Sequence, residues 1–274
     1  MSKFEITFLG TNGSCAYNNG ARTVYGTNTL CVAVDVGGQS LVFDAGTGIA
    51  GFCSSPTAPC NRQTLHLFLS HYHADHVCGL LFFSQLFNGD KTVNIYGGET
   101  CDKANCRSAL AAFLSPPLHP VGLESFKAAL NFHDIKAGQV LNLPNEIVVR
   151  TLPLSHPGGS VGYRVEHGGK AFCYCTDIEL ALHKNDEDLR KFLHGADLLV
   201  LDTFFDDDEK IFPGWGHSSW RENAEWAAKT GAKQLALFHY GYALTDADID
   251  LMLQKSREIF PQTFASKDGM KVLL

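Results

Sequence analysis

The feature that most constrains this chain is a group of four metal-ligand side chains within six residues. His71, His73, Asp75 and His76 follow a short apolar run at 65–69 that predicts a buried strand. His71 and His73 are two residues apart, so they project from the same side of an extended backbone. Asp75 and His76 lie where the chain turns into a helix, and one turn can therefore serve two neighbouring ions. Imidazole nitrogens and carboxylate oxygens suit zinc, iron or manganese rather than calcium alone.

Apolar patterning elsewhere predicts many strands with helices between them. Strands are expected at 4–9, 30–35, 41–43, 65–69, 93–96, 147–154, 161–166, 171–175, 198–201 and 234–238. A helical pattern follows the histidine group as far as Leu86. Ser218 or Ser219 is expected to cap a later helix, and Thr245 to cap the last one. The pattern predicts an α/β fold, a single domain over residues 1–274, whose sheets carry helices on their outer faces.

The sequence S-H-Y-H-A-D-H resembles the signature of the metallo-β-lactamase fold superfamily, and further landmarks of that family follow in order. His156 matches its third histidine, Asp177 its bridging carboxylate and His239 the last ligand of its second site. Each of the three follows a strand-like run. The resemblance extends from about residue 4 to about residue 260 and implies an αβ/βα four-layer sandwich.

The resemblance implies two adjacent metal sites. The first would be formed by His71, His73 and His156, the second by Asp75, His76 and His239, and Asp177 would lie between the ions. The expected cofactors are two divalent ions, zinc first, with manganese or iron as alternatives. Two ions about 3.5–4 Å apart can share a hydroxide and clamp substrate oxygens, so a hydrolase that uses a metal-bridging hydroxide is implied. Asp75 and Asp177 would orient that hydroxide.

Two further residues point to phosphodiester chemistry. His217, in Gly216-His217-Ser218-Ser219, resembles the additional histidine that assists the leaving oxygen in phosphodiesterases of this fold. Asp202 ends a buried strand and resembles the carboxylate that ribonuclease Z pairs with that histidine, although Leu201 replaces the histidine that often precedes it. A carboxylate partner fixes the orientation of an imidazole and favours its protonated form. Asp75, His217 and Asp202 are therefore the predicted catalytic residues.

Two residues of the N-terminal segment are candidates for substrate contacts. Ser14 closes the glycine turn at 10–14, which resembles a turn that approaches the active site in these branches. Glycines permit such a close approach of the backbone, although a plain hairpin turn would look the same. Asn28 lies in a second segment, at 25–29, that resembles this subgroup.

The spacing of the ligands bears on the size of the substrate. The usual short ribonuclease Z carries a long tRNA-gripping arm between the third histidine and the bridging aspartate, whereas only 21 residues separate His156 from Asp177. The formal charge of −7, with no basic stripe, also argues against long nucleic acid or an anionic membrane as partner. The short interval resembles PhnP-type phosphodiesterases. A small nucleotide or phosphodiester, with cyclic nucleotides included, is the expected substrate.

The remaining segments give weaker indications. The N-terminus lacks the apolar region of a signal peptide and no run approaches the ~20 apolar residues of a membrane span, so a cytoplasmic protein is expected. Residues 99–136 look partly helical and insertion-like. Most of the nine cysteines are expected to be buried packing residues. The spacings of Cys53 with Cys60 and of Cys101 with Cys106 are too loose to predict a further zinc site.

Other functions stay open on the sequence alone. A thioesterase or lactonase of the same fold would use the same ligands and would not need His217. A metal-bearing nucleotide-binding or sensor protein would bind without turnover, although it has no need to keep every ligand. A homodimer is open by analogy with the fold.

Overall fold

Two mixed β-sheets, each of seven strands among the described residues, form the centre of the protein. The structure is a computed structural model that describes residues 3–18, 20–53, 59–98, 104–136, 138–206 and 212–274. The first sheet contains β1 (Phe4–Gly10), β2 (Cys31–Val36), β3 (Gln39–Phe43), β4 (Thr64–Leu69), β5 (Thr92–Gly98), β6 (Ala129–Ile135) and β14 (Lys271–Leu273). Its strand order is β14-β1-β2-β3-β4-β5-β6.

The second sheet comes from the C-terminal half. It contains β7 (Val140–Leu143), β8 (Ile147–Leu154), β9 (Ser160–His167), β10 (Lys170–Cys175), β11 (Leu198–Asp202), β12 (Leu235–Phe238) and β13 (Thr263–Ala265). Its order is β13-β12-β11-β10-β9-β8-β7. The helices are α1 (Ala74–Val77), α2 (Cys106–Phe113), α3 (Glu187–Leu193), α4 (Trp220–Thr230) and α5 (Asp246–Ile259).

Three apolar clusters separate four layers. The middle cluster lies between the two sheets, where Phe43 stacks on Phe68 of its own sheet and contacts Phe172 of the other. A second cluster covers the outer face of the first sheet with α1, α2 and short 3₁₀ turns. A third lies between the second sheet and α3, α4 and α5. The αβ/βα sandwich predicted from the sequence is confirmed.

Parallel strands at the middle of each sheet explain where polar side chains gather. In the first sheet β3, β4 and β5 run parallel, and in the second β10, β11 and β12 do. In α/β sheets the crevice beyond the carboxyl ends of the strands is the usual place for a ligand. Both sheets therefore present their strand ends to one shared edge.

Local signals also account for two of the helices. α4 starts with a capping box between Ser219 and Glu222, and it ends at Gly231, which has φ 66°. Thr245 accepts a hydrogen bond from the backbone N–H of Asp248 at the start of α5. Of the two serines offered by the sequence, Ser219 is the cap.

The long helix predicted after the histidine group is wrong. α1 has only four residues, and 3₁₀ turns follow at Cys78–Phe82 and Ser84–Phe87. Gly79 donates its backbone N–H to the Ala45 carbonyl, and a β-carbon on Gly79 would lie 2.0 Å from the Gly46 carbonyl oxygen. This close backbone contact with the turn after β3 outweighs the helical periodicity.

The stretch at 99–136 contains more regular structure than its pattern indicates. Residues 99–103 lie outside the described residues. The rest contains α2 and β6, and β6 pairs in parallel with β5 over seven residues as the edge of the first sheet. The alternation in β6 is weak because most of its side chains are exposed or half-buried.

Four cysteines pack in the interior as expected, whereas Cys15 is exposed and Cys78 is half-buried. Cys31, Cys106, Cys173 and Cys175 are buried and unpaired. Cys53 and Cys60 form a disulfide, which the sequence analysis did not predict. Cys101 lies outside the described residues. No cluster of metal-ligand atoms in the described part of the chain includes a cysteine, and no helix there is long and apolar enough to cross a membrane.

Replacement of Phe43 tests the packing between the sheets. Phe43 is fully buried, and Phe43→Ala is expected to lower the free energy of unfolding by about 3–5 kcal/mol, because it removes the ring and leaves a cavity. Urea unfolding measures this. Leu182→Ala, at a side chain that is 66% exposed, is the control and should change stability by less than about 0.5 kcal/mol. Equal effects would contradict the assigned packing.

Candidate metal centre

The predicted ligands meet at the shared edge of the two sheets because strands end there. Asp44 directly follows β3 and His239 directly follows β12, whereas one residue separates Asp177 from the end of β10. These three residues have φ values of 56°, 56° and 60°, in the left-handed region that non-glycine residues rarely adopt. Such conformations cost of order 1–3 kcal/mol each and persist where the surrounding structure enforces them. Here they turn each side chain toward the same point.

The first predicted cluster is formed. Ligand atoms of His71, His73 and His156 lie within 4.8 Å of one another. His156 donates its Nδ1–H to the Gly216 carbonyl at 2.9 Å, which leaves Nε2 facing His73 Nδ1 at 3.1 Å. Asp177 Oδ1 lies 3.8 Å from His71 Nε2 and 3.6 Å from His156 Nε2. Three imidazoles and one carboxylate oxygen therefore surround one position.

The second predicted cluster shares the same aspartate. Ligand atoms of Asp75, His76 and His239 also lie within 4.8 Å of one another. Asp177 Oδ2 is 3.2 Å from the Nε2 atoms of both His76 and His239. Asp75 Oδ2 is 3.5 Å from His76 Nε2 and 3.7 Å from His239 Nε2. Asp177 thus directs one oxygen to each cluster, as a bridging carboxylate does.

The arrangement fits a pair of divalent ions. The Nε2 atoms of His71, His76 and His239 are buried and have no hydrogen-bond partner among the described residues. An unpaired buried polar atom is costly and rare in proteins. Imidazole nitrogens with carboxylate oxygens form the donor set of zinc, manganese and iron. Ions at these two positions would satisfy all three nitrogens.

Asp44 is a functional residue that the sequence analysis missed. It is fully buried and accepts a hydrogen bond from His76 Nδ1–H at 2.8 Å, which leaves His76 Nε2 for a metal. It also accepts from the Ser70 hydroxyl and from the Tyr174 hydroxyl, each at 2.8 Å. Such carboxylate–histidine pairs fix the tautomer and orientation of a ligand. The signal in the sequence was an aspartate directly after a predicted strand. Asp177 has a similar place, just after the end of β10.

The charges of the two clusters depend on one another. Burial alone would lower the pKa of His76 and of His239, but neighbouring carboxylates, Asp177 first, raise both well above the ordinary value. Burial would raise the pKa of Asp177, whereas the surrounding imidazoles hold it well below its usual range. Burial and the adjacent His76 lower the pKa of His71. Asp177 is thus kept anionic, as a ligand of a cation must be.

His217 and Asp202 form the predicted pair beside the clusters. His217 donates its Nδ1–H to Asp202 Oδ2 at 2.6 Å, while the other oxygen of Asp202 accepts the backbone N–H of Phe204. The ring of Phe204 stacks on the His217 imidazole with centroids 4.4 Å apart. His217 Nδ1 lies 4.0 Å from Asp177 Oδ1. Asp202 and Phe204 therefore hold the imidazole from two sides. The Nε2 atom takes no part in the hydrogen bond with Asp202.

A buried glutamate holds the segment that precedes His217. Glu179 Oε2 accepts the backbone N–H groups of Gly214 and Gly216. Gly216 has φ 77°, and a β-carbon there would lie 2.3 Å from His156 Nδ1. This position therefore requires glycine, since the backbone passes directly against a predicted metal ligand. The sequence analysis did not single out Glu179.

The two predicted substrate contacts, Ser14 and Asn28, have different surroundings. The backbone N–H of Ser14 donates to Asp75 Oδ2 at 2.8 Å, so Ser14 lies at the site and supports a ligand. Gly13, beside it, packs on the His239 ring. Asn28 donates to Asp268 and accepts from the Thr47 hydroxyl. Its amide is engaged within the protein at both ends, and the structure does not bring it to the ligand clusters.

Replacement of Asp44 tests its orienting role. Asp44→Asn keeps the shape of the side chain but removes the charge, and it is expected to weaken metal binding by about 10–100-fold, because His76 loses its carboxylate partner. Competition with a chromophoric chelator measures the affinity. Asp188→Asn, at an exposed carboxylate, is the matched control. Unchanged affinity in a folded Asp44→Asn protein would refute the role.

Comparison with known proteins agrees with this geometry. Residues 39–240 match the family described as the beta-lactamase superfamily domain. Ribonuclease Z of Picrophilus torridus is 27% identical over 98% of this chain and 96% of its own. The metallo-β-lactamase fold protein YhfI of Bacillus subtilis has the same fold, with a TM-score of 0.73, 19% identity and full coverage of both chains.

A second solved structure has the same fold. It is described as a new diphosphatase of the PhnP family, with a TM-score of 0.67 and 18% identity over 99% of this chain and 97% of its own. The family match covers well over half of this chain. The chain therefore belongs to the beta-lactamase superfamily and has the metallo-β-lactamase fold.

Proposed function

We propose that this protein hydrolyses a small phosphodiester, with cyclic nucleotides among the candidate substrates, and uses two divalent ions, zinc first. The observation that supports this best is the His217–Asp202 pair at 2.6 Å beside the ligand clusters. Hydrolysis of a diester needs both an activated water and a proton for the departing alkoxide. The clusters and the pair meet those two needs separately.

The seven ligand residues would hold the ions. These are His71, His73, Asp75, His76, His156, Asp177 and His239. Two bound ions supply Lewis acidity, acidify water and offset negative charge on the phosphoryl oxygens. Asp75, which is fixed by the Ser14 N–H, and Asp177 present carboxylate oxygens toward the attacking water and fix its orientation.

His217 would act as the general acid. Asp202 binds Nδ1–H, so the Nε2 side of the ring is the one left to face a substrate oxygen. In the reaction one P–O bond forms to the water oxygen and the P–O bond to the leaving oxygen breaks. His217 gives a proton to that oxygen, the water releases one to solvent, and His217 regains a proton from solvent, so that the products are a phosphate monoester and an alcohol. A positioned imidazole contributes about 10²–10⁴-fold in such a step.

The interval between His156 and Asp177 supports a small substrate. It contains β9 and β10, which pair as an antiparallel hairpin from His167 and Lys170 onward. The link at 168–169 is two glycines in left-handed conformations. No further segment lies in this interval, so the place where ribonuclease Z carries its tRNA arm holds only a tight turn.

The relatives named ribonuclease Z make RNA the main competing substrate. The alignment with the Picrophilus enzyme spans 312 positions, about 40 more than this chain supplies. The Picrophilus enzyme thus has insertions relative to this chain, which, at −7, carries no excess of positive charge for tRNA. We favour a small diester for these reasons. The cytoplasmic location predicted from the sequence is also part of this proposal.

Substitution of His217 tests the general acid. His217→Ala is expected to lower kcat on an alkyl p-nitrophenyl diester only modestly, since p-nitrophenolate leaves without a proton. On a 2′,3′-cyclic nucleotide, whose leaving group is an alkoxide, the loss should reach about 10²–10⁴-fold. Asp202→Asn should show the same pattern to a smaller degree. Steady-state kinetics at equal metal content measures both.

His194→Ala is the matched control, because His194 is exposed and lies away from the strand-end site. Its kinetics should equal those of the unaltered protein. Equal losses of His217→Ala on good and poor leaving groups would contradict the acid role. Turnover of thioesters or lactones without any diester turnover would support the other enzymatic alternative, and saturable nucleotide binding without turnover would support a sensor.

A tRNA substrate is tested directly. We expect precursor tRNA to stay intact under conditions in which bis(p-nitrophenyl) phosphate is consumed, because the hairpin offers no arm to bind the tRNA body. Gel analysis of the 3′ end measures this. Accurate removal of the 3′ trailer at rates comparable to the small-diester rate would overturn the preference for small substrates.

A further inference from the structure

A cavity of about 570 Å³ opens beside the His71 and His73 imidazoles. Its volume lies within the usual range of small-molecule sites, roughly 300–1,000 Å³. It lies between the edges of the two sheets, with walls from β5, β6, β8 and β9 and from the segment that carries the histidines. Its principal apolar walls are Tyr72, Ile135, Pro153, Leu154, Pro157 and Val161.

The polar side chains of this cavity are mostly committed to the protein. The hydroxyl of Tyr72 donates to the Gly98 carbonyl at 2.8 Å, and that of Ser70 donates to Asp44. The hydroxyl of Ser160 faces the Thr176 carbonyl at 3.4 Å. The described lining therefore offers few side-chain groups that could recognise a sugar or a base edge by hydrogen bonds.

The charges around the cavity favour an anion. Lys136 is exposed at the rim and is the one lysine, arginine or carboxylate residue in the described lining. No carboxylate lies in the described lining, although the protein as a whole is acidic. A phosphodiester carries one negative charge close to an uncharged ester group. That combination matches an apolar cavity with a single ammonium at its mouth.

The position of the cavity relative to His217 assigns it to one half of the substrate. The lining includes His71 and His73 but neither His217 nor Asp202. The His217 ring lies beside that of His156, with centroids 5.2 Å apart, and neither ring belongs to the described lining. A leaving oxygen that receives its proton from His217 therefore lies outside the described lining, and the cavity is left for the other ester group.

We propose that this cavity binds the ester group that remains on phosphorus, and that it selects apolar aryl or alkyl groups over polar ones. The inference rests on the phosphodiesterase function proposed above. It names the residues that determine specificity, with Val161, Ile135 and Tyr72 as the contact surface. It also makes nucleosides poorer occupants than simple aryl groups of similar size.

The experiment uses p-nitrophenyl diesters that differ only in the retained group. Methyl, butyl, phenyl and thymidine-5′ esters share one leaving group, so their kcat/KM values compare the retained group alone. We expect kcat/KM to rise by about tenfold or more from methyl to phenyl, in line with the discrimination that apolar pockets achieve. The thymidine ester should fall below the phenyl ester. Equal values across the series would overturn the inference.

Variants locate the effect in this cavity. Val161→Phe fills part of the space and should reduce the phenyl-to-methyl ratio of kcat/KM by at least about fivefold. Val140→Phe, on an exposed position of β7, is the matched control and should leave the ratio unchanged. An unchanged ratio in folded Val161→Phe protein would refute the assignment.

Inhibition provides a measurement that needs no variant. Phenylphosphonate and methylphosphonate mimic the product that keeps the retained group, and phenylphosphonate should inhibit the unaltered protein at least about tenfold more strongly. Equal inhibition would count against the cavity. Absence of turnover for every diester would instead refute the proposed function, so the two failures are distinguishable.

Discussion

The buried carboxylate of Asp44 joins the two sheets beneath the predicted metal centre. It accepts hydrogen bonds from Ser70 and His76 of the N-terminal half and from Tyr174 of the second sheet. A buried carboxylate is tolerated only when its oxygens are satisfied, so these partners must keep their relative positions. The edge at which both sheets present their strand ends is thereby fixed before any ion binds.

Electrostatics then divides the site into two parts. Five imidazoles lie within 4.0 Å of the Asp177 carboxylate, and the negative charge of Asp177 raises the pKa of His76 and of His239. Cations are the natural complement of such a region. His217 lies at the border of this region, 4.0 Å from Asp177, paired with Asp202 and stacked on Phe204, and in the proposed reaction its proton goes to a substrate oxygen. One side of the site thus suits metal binding and the other suits proton donation.

The sequence predicted the layers and four of the candidate ligands from short-range patterns, whereas His156, Asp177 and His239 were predicted from the family resemblance. Apolar runs indicated the strands, and the H-x-H-x-D-H group places four metal-ligand side chains within six consecutive residues. Long-range contacts were not visible in this way. The contact of Gly79 with the turn after β3 broke a helix that periodicity predicted, and Asp44 acquires its role from residues 26–130 positions away. Asn28 was a candidate because of the family resemblance. Its amide, however, is hydrogen-bonded to Asp268 and Thr47, which are distant in sequence.

The most direct measurement is a crystal structure of zinc-loaded protein with anomalous data collected at the zinc edge. The account predicts two ions about 3.5–4 Å apart. One should contact His71, His73 and His156, the other Asp75, His76 and His239, and each should contact one oxygen of Asp177. A single ion, or an ion bound by Asp202 and His217, would contradict the account, because the proton donor would then be a metal ligand.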